Sequence, residues 1–153
     1  PGGKSQVEYW TEFGAYLEKQ GARFRAPKPY PSNWMAWGLG RAGIQLLAIA
    51  NAKEIMVGVD IDSREHPTWY RKLEQQRDVI EAELGFELEW AEKPLNKFSM
   101  LRLRNSTGIH DKKSWPRAQK WMLQAMDSID RVFRPHVKEL DDAPPPEMEL
   151  SED

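Results

Sequence analysis

Ile44-Gln45-Leu46-Leu47-Ala48-Ile49-Ala50-Asn51 and Ile55-Met56-Val57-Gly58-Val59-Asp60-Ile61-Asp62, separated only by Ala52-Lys53-Glu54, read as two strands and a tight turn. In the second run Ile55, Val57, Val59 and Ile61 alternate with Met56, Gly58, Asp60 and Asp62, which gives one apolar and one more polar face. Upstream, Asn33-Trp34-Met35-Ala36-Trp37-Gly38-Leu39-Gly40 supplies a third strand over 34–40 that enters this pair through the corner Arg41-Ala42. Gly40 and Gly43 tolerate positive φ there and leave Arg41 near the tip. Connections this short cannot cross over, so the three strands pair antiparallel.

Working outward, Ser5-Gln6-Val7-Glu8 has capping-box spacing and predicts a first helix beginning at Ser5. Its apolar face is Tyr9, Trp10, Phe13, Tyr16 and Leu17, Gly21 stops it, and the proline-rich 26–31 leads on as an extended segment. Downstream, His66-Pro67 opens a second helix over 67–84 with Gly85 as its cap. Strands over 87–92 and 98–104 follow, joined by Pro94-Leu95-Asn96-Lys97. A loop to Lys113 then meets Ser114, the expected N-cap of a third helix over 115–140. Trp115, Ala118, Met122, Ala125, Ile129, Val132 and His136 mark the buried side of that helix, and Pro135 is expected to kink or end it. The order predicts an α+β fold, an antiparallel sheet of about five strands with three helices gathered mainly on one face. A single domain spans 1–140.

The chain is 153 residues long, enough to bury a core without metal or disulfide staples, and it has no cysteine. Disulfides, thiolate catalysis and cysteine zinc sites are excluded together, and a cytoplasmic location is expected. No apolar run approaches membrane-spanning length, so no membrane association is predicted. The opening Pro1-Gly2-Gly3-Lys4, without an initiator Met, predicts a domain excised from something longer.

The formal net charge of -2 conceals an asymmetry, because 141–153 holds six acids and no base. That acidic, Pro144-Pro145-Pro146-containing tail is expected to be disordered, and the body it leaves behind is basic. Lys97, Arg102, Arg104, Lys112, Lys113, Arg117 and Lys120 face a single acid, Asp111, over 97–120. DNA or RNA is the partner class such a segment suggests, and a solvated helix start is the alternative. Arg41 joins the candidate phosphate contacts, and Trp34 and Trp37 are the candidate platforms for unpaired bases, the other tryptophans being assigned to packing.

The chemistry-bearing patterns point away from catalysis. Asp60 and Asp62 share a strand face, but the nearest strand-borne lysine, Lys93, follows Glu92 directly, which is the wrong spacing for a metal-dependent nuclease. His66, His110 and His136 are scattered, with no second histidine at ligand spacing. Gly38-Leu39-Gly40-Arg41-Ala42-Gly43 spells a dinucleotide fingerprint, yet it joins strand to strand with no helix N-terminus behind it. No catalytic residue, metal or cofactor is predicted.

Glu8-Tyr9-Trp10-Thr11-Glu12-Phe13, the stretch from Asn33 to Gly43, Ile80-Glu81-Ala82-Glu83-Leu84-Gly85 with Leu88-Glu89-Trp90, then Trp115, Trp121 and Phe133-Arg134-Pro135 together resemble an uncharacterised domain family of bacteria and archaea. The resemblance covers about 7–140. Members of that family sit C-terminal to modules of the PD-(D/E)XK restriction-endonuclease-like class, so the resemblance implies an appendage of a nuclease-like protein and supplies no catalytic residues. Two readings follow. One is a nucleic-acid-binding module that positions a nuclease-like partner in cis; the other is a structural or dimerisation domain forming a homo-oligomer.

Overall fold

Alternation of apolar and polar residues sets the sheet, and in the computed structural model, which describes residues 2–29, 31–92 and 98–141, all pairings are antiparallel. The strands are β1 (Trp34–Gly38), β2 (Ile44–Ala50), β3 (Ile55–Asp62), β4 (Glu89–Ala91) and β5 (Phe98–Asn105), in spatial order β1-β2-β3-β5-β4. β5 slots between β3 and β4, which places the long β3 at the centre. The corner after β1 is built as its glycines require, with φ of 105° at Gly40 and 91° at Gly43.

Around the sheet stand α1 (Gly2–Lys19), α2 (Trp69–Glu74), α3 (Arg77–Leu84) and α4 (Trp115–Lys138), the last preceded by a 3-10 turn over Lys112–Ser114. All four helices feed one apolar cluster with the Ile55, Val57, Val59 and Ile61 face of the sheet: Tyr9 and Phe13 from α1, Leu73 from α2, Ile80 from α3, Met122 and Ile129 from α4. α4 lies against β2 and β3, and α1 and α3 pack on α4. Leu47 and Met56, buried on the opposite sheet face, stand outside that cluster. The architecture is therefore the α+β antiparallel sheet predicted, with four helices in place of three.

The extra helix comes from a break in the predicted 67–84 segment. Gln75 ends α2, and Gln76, at φ -103° and ψ 14°, leaves helical geometry before α3 begins. An unbroken helix would carry Gln76 and Arg77 across its apolar stripe; the break re-aims Ile80 and Leu84 toward α4 while Trp69 and Leu73 stay in the core. Gly85 caps α3 at φ 85°, as expected.

Other boundaries also shift. α1 starts at Gly2, ahead of the capping-box residue Ser5, and β4 keeps only three residues of the predicted 87–92. Ser114 does not cap α4, because its hydroxyl donates to the carbonyls of Gly108 and Asp111, while Asp111 accepts from the Lys113 amide. α4 continues through Pro135 to Lys138. Proline removes one amide donor, and the helix closes a turn later with tighter bonds from Glu139 to His136 and from Leu140 to Val137. His136 is half-buried and pairs with Glu83 at 3.2 Å, at the margin of the buried stripe to which the sequence assigns it. The tail beyond Asp141, with the loop residues Lys93 to Lys97, lies outside the described residues.

Candidate nucleic-acid interface

Strand register decides which of the predicted side chains meet. Trp34 pairs with Ile49, Ile49 with Met56 and Met56 with Arg104, so these four form one row across the sheet face opposite the helical core. The next row on that face runs Ala36, Leu47, Gly58, Arg102, Glu89. Trp34 keeps 42% of its surface exposed at the edge of this face. Trp37 belongs to the helix-covered face: it pairs with Leu46, stands edge-on to Phe24, and donates its indole N–H to the Arg25 carbonyl at 2.9 Å. Of the two candidate platforms, Trp34 is the one presented to solvent.

The two arginines on this face are held by neighbours. Arg104 donates from Nε to both Glu89 carboxylate oxygens at 2.8 Å and from Nη1 to Glu54 at 2.9 Å. The Arg102 guanidinium lies against the sulfurs of Met100 and Met56. Asp60 is the acid that feels it: burial pushes the Asp60 carboxyl up to about 6, and the nearby Arg102 charge partly opposes that rise. The sheet face is thus mixed in charge, with an aromatic at its edge.

A different kind of surface forms at the sheet end where β2 and β5 finish and α4 starts. The loop after β5 is fastened to the turn between β2 and β3 by Ile109 N–H to the Asn51 carbonyl at 3.0 Å and by His110, whose amide and Nδ1 both approach the Ala52 carbonyl. That brings Lys53 to the same end as Lys112 and Lys113. Lys112 pairs with Glu8 at 3.3 Å and sits 5.5 Å from the Trp115 ring centroid. Lys113, Arg117 and Lys120 are exposed, and no ion pair holds any of the three among the described residues. Arg117 and Lys120 are three apart on α4 and share a side of the helix. The Trp34 and Arg104 row lies at this same end of the sheet. Lys53 escaped the sequence reading because the hydrogen bonds that place it join residues more than fifty positions apart.

Arg41 is elsewhere. It reaches from the β1–β2 corner to the carbonyls of Val137 and Leu140 at the C-terminal end of α4, over the Trp69 ring. Val137 is in the last turn of α4 and Leu140 lies just past its end, so Arg41 brings a positive charge from another element to the negative end of the helix dipole. Lys97, the remaining base of the segment, lies outside the described residues.

The acids follow the same logic. Asp62 accepts from the amides of Arg64 and Glu65 in the turn that leaves β3, while Asp60 sits two pairs in on the sheet, opposite Met100. Among the described residues no group of three or more His, Asp or Glu side chains is arranged to hold a metal ion, and no helix is long and apolar enough to cross a membrane.

Residues 5–137 match the family model of a domain of unknown function, DUF4268. No curated protein and no solved structure matches the chain.

Proposed function

The chain belongs to the DUF4268 family of domains of unknown function, and from that premise we propose that it is a nucleic-acid-binding accessory module that positions a nuclease-like partner domain in cis. The observation that carries this reading is the run of Lys112, Lys113, Arg117 and Lys120 at the start of α4, the last three without an ion pair among the described residues, with the exposed Trp34 indole at the same end of the sheet on its opposite face. Trp34 offers a π-face to an unpaired base, while Lys112, Lys113, Arg117 and Lys120 offer charge to the phosphates that follow it. Contacts of this kind supply affinity without sequence readout. The partner in cis comes from the family resemblance, and the hydrolytic chemistry belongs to that partner.

Fluorescence anisotropy with a labelled single-stranded oligonucleotide tests the reading. With four phosphate contacts, affinity falls by about fifty-fold between 50 and 200 mM salt, following the counterion slope for single strands. Lys113→Glu with Arg117→Glu lowers both the affinity and that slope. Absence of binding at 50 mM salt defeats the proposal. The charge balance of the sheet face, with Arg102 and Arg104 set among Asp60, Glu54 and Glu89, favours the second reading, a protein interface. A homodimer in sedimentation, together with no nucleic-acid binding, is its signature.

A further inference from the structure

We infer that the outer edge of β1 pairs antiparallel with β1 of a second copy of this chain, so that two sheets join into one. The Asn33 carbonyl accepts from the Ala50 amide at 2.7 Å, and the same register sets Met35 against Ala48 and Trp37 against Leu46. Main-chain groups alternate sides along a strand, so those of Trp34, Ala36 and Gly38 point away from β2. Among the described residues the Ala36 amide and carbonyl, the Trp34 carbonyl and the Gly38 amide find no partner. The Trp34 amide has only the Ser32 hydroxyl at 3.3 Å, and the Gly38 carbonyl takes Nη2 of Arg134 at 3.2 Å. Phe24 and the Arg25 carbonyl cover β1 from its helix side, through Trp37, and no main-chain bond ties them to its edge.

The occupant is a second copy because β1 fits itself. A two-fold axis at Ala36 sets Ala36 against Ala36 of the second copy, and Trp34 of each copy against Gly38 of the other. That places a large ring opposite an empty position, twice: Trp34 is 42% exposed, and a Cβ at Gly38 would meet nothing within 4 Å. An aromatic laid over a cross-strand glycine covers the main chain that the glycine leaves bare. The same axis pairs the outward amides and carbonyls of Ala36 with each other and those of Trp34 with Gly38, whose carbonyl has a second lone pair beside the one Arg134 takes. β1 also lacks what keeps an edge solitary, for Trp34–Gly38 holds neither charge nor proline. The opposite edge, β4, has only three residues and carries Glu89. So short an edge buries less than a standard interface, which sets a dissociation constant of about 10–100 μM.

Sedimentation velocity of the full chain from about 1 to 500 μM tests the pairing, and a monomer–dimer equilibrium is expected. The solution holds no nucleic acid, so a chain that stays monomeric counts against the pairing and leaves the nucleic-acid reading standing. Ala36→Pro removes the central outward amide and no bond to β2, and Gly38→Val fills the place that Trp34 of the second copy takes; each weakens the dimer about tenfold or more. Valine suits a strand and enters open space at position 38, so Gly38→Val keeps its fold whatever Ala36→Pro does. Val79→Ala, which trims the other large apolar side chain exposed among the described residues, leaves the dimer unchanged. Because the chain has no cysteine, Gln45→Cys carries a single nitroxide, on β2 opposite Gly38. Across the axis the two Gln45 backbones stand about 20 Å apart, three strand spacings over and four residues along, and double electron–electron resonance reads that distance. A single species at every concentration, a dimer that survives both Ala36→Pro and Gly38→Val, or a nitroxide distance beyond about 35 Å, well outside that spacing, overturns the pairing.

Discussion

The Arg41 guanidinium carbon sits 5.1 Å from the centroid of the Trp69 ring while the same side chain hydrogen-bonds the Leu140 carbonyl, so one arginine ties the β1–β2 corner to α2 and to the end of α4. Trp69 is fixed in turn by His66, stacked on it at 3.6 Å with 7° between planes, and by its indole N–H, which donates to the Asp141 carbonyl at 3.2 Å. Arg41→Ala loses a charged hydrogen bond to the helix end and a cation–π contact. At this exposed position the cost is about 1–2 kcal/mol. A fall in the urea midpoint checks it, and single-stranded DNA affinity should stay within about twofold, because Arg41 lies at the other end of α4 from the proposed phosphate contacts.

The two β1 tryptophans separate binding from stability. Trp34→Ala removes an exposed indole, so unfolding free energy should move by less than about 0.5 kcal/mol, while single-stranded DNA affinity should fall by about 1–3 kcal/mol, the range for one stacked base. Trp37→Ala should do the reverse, losing the Phe24 contact and the bond to the Arg25 carbonyl. Its half-buried position sets a stability loss of about 2–3 kcal/mol. Anisotropy and urea unfolding on both variants give the crossed pattern or refute it.

The β2–β3 hairpin was legible in the sequence because a period of two with a short turn admits one arrangement, and it carried the antiparallel α+β fold with it. The break at Gln75 and Gln76 was not. Glutamine is an adequate helix former, and nothing local demands that α2 end there; the demand comes from α4, which Ile80 and Leu84 must meet. The candidate site divides the same way. That Arg41 stands at a glycine-bounded corner could be read directly, but its bond partners lie 96 and 99 residues along the chain. Formal charge marked the segment from Arg102 to Lys120, yet strand register sends Arg102 and Arg104 to a face where carboxylates already wait, and leaves Arg117 and Lys120 on α4.

Gly58 is the sheet position least able to change. A Cβ there would stand 2.1 Å from the Leu101 carbonyl oxygen and 3.1 Å from the Arg102 Cα, both backbone atoms of β5. Gly58→Ala must therefore spread β3 from β5 at the centre of the sheet, at a cost of at least about 3 kcal/mol. Gly85→Ala is the control: φ is 85° and nothing stands within 4 Å, so only backbone strain remains, about 1 kcal/mol. Urea midpoints of the two variants, compared with the parent, should differ in that order.

Asp60 makes stability fall as pH rises. Its carboxyl ordinarily titrates at 3.8, and burial raises it to about 6 in the folded chain despite the opposing Arg102 charge. Between those values the folded state binds more protons than the unfolded state, so the slope of unfolding free energy with pH is negative. The Asp60 contribution is at its most favourable below about pH 4, declines to about pH 6 and is level above it, a total change of about 3 kcal/mol at most. Asp60→Asn keeps the shape and removes the titration. The variant should match the parent near pH 4 and exceed it by up to about 3 kcal/mol at pH 8. Other carboxyls are shifted too, among them Asp127, raised by burial and the Asp130 charge, and Glu81, where burial is outweighed by hydrogen bonds from the Leu88 amide, Trp90 and Arg77 that hold it low. They are common to both proteins and cancel in the difference. Urea unfolding of parent and variant at half-unit steps from pH 4 to 8 gives that difference directly, and a gap that does not widen with pH would show that Asp60 titrates normally.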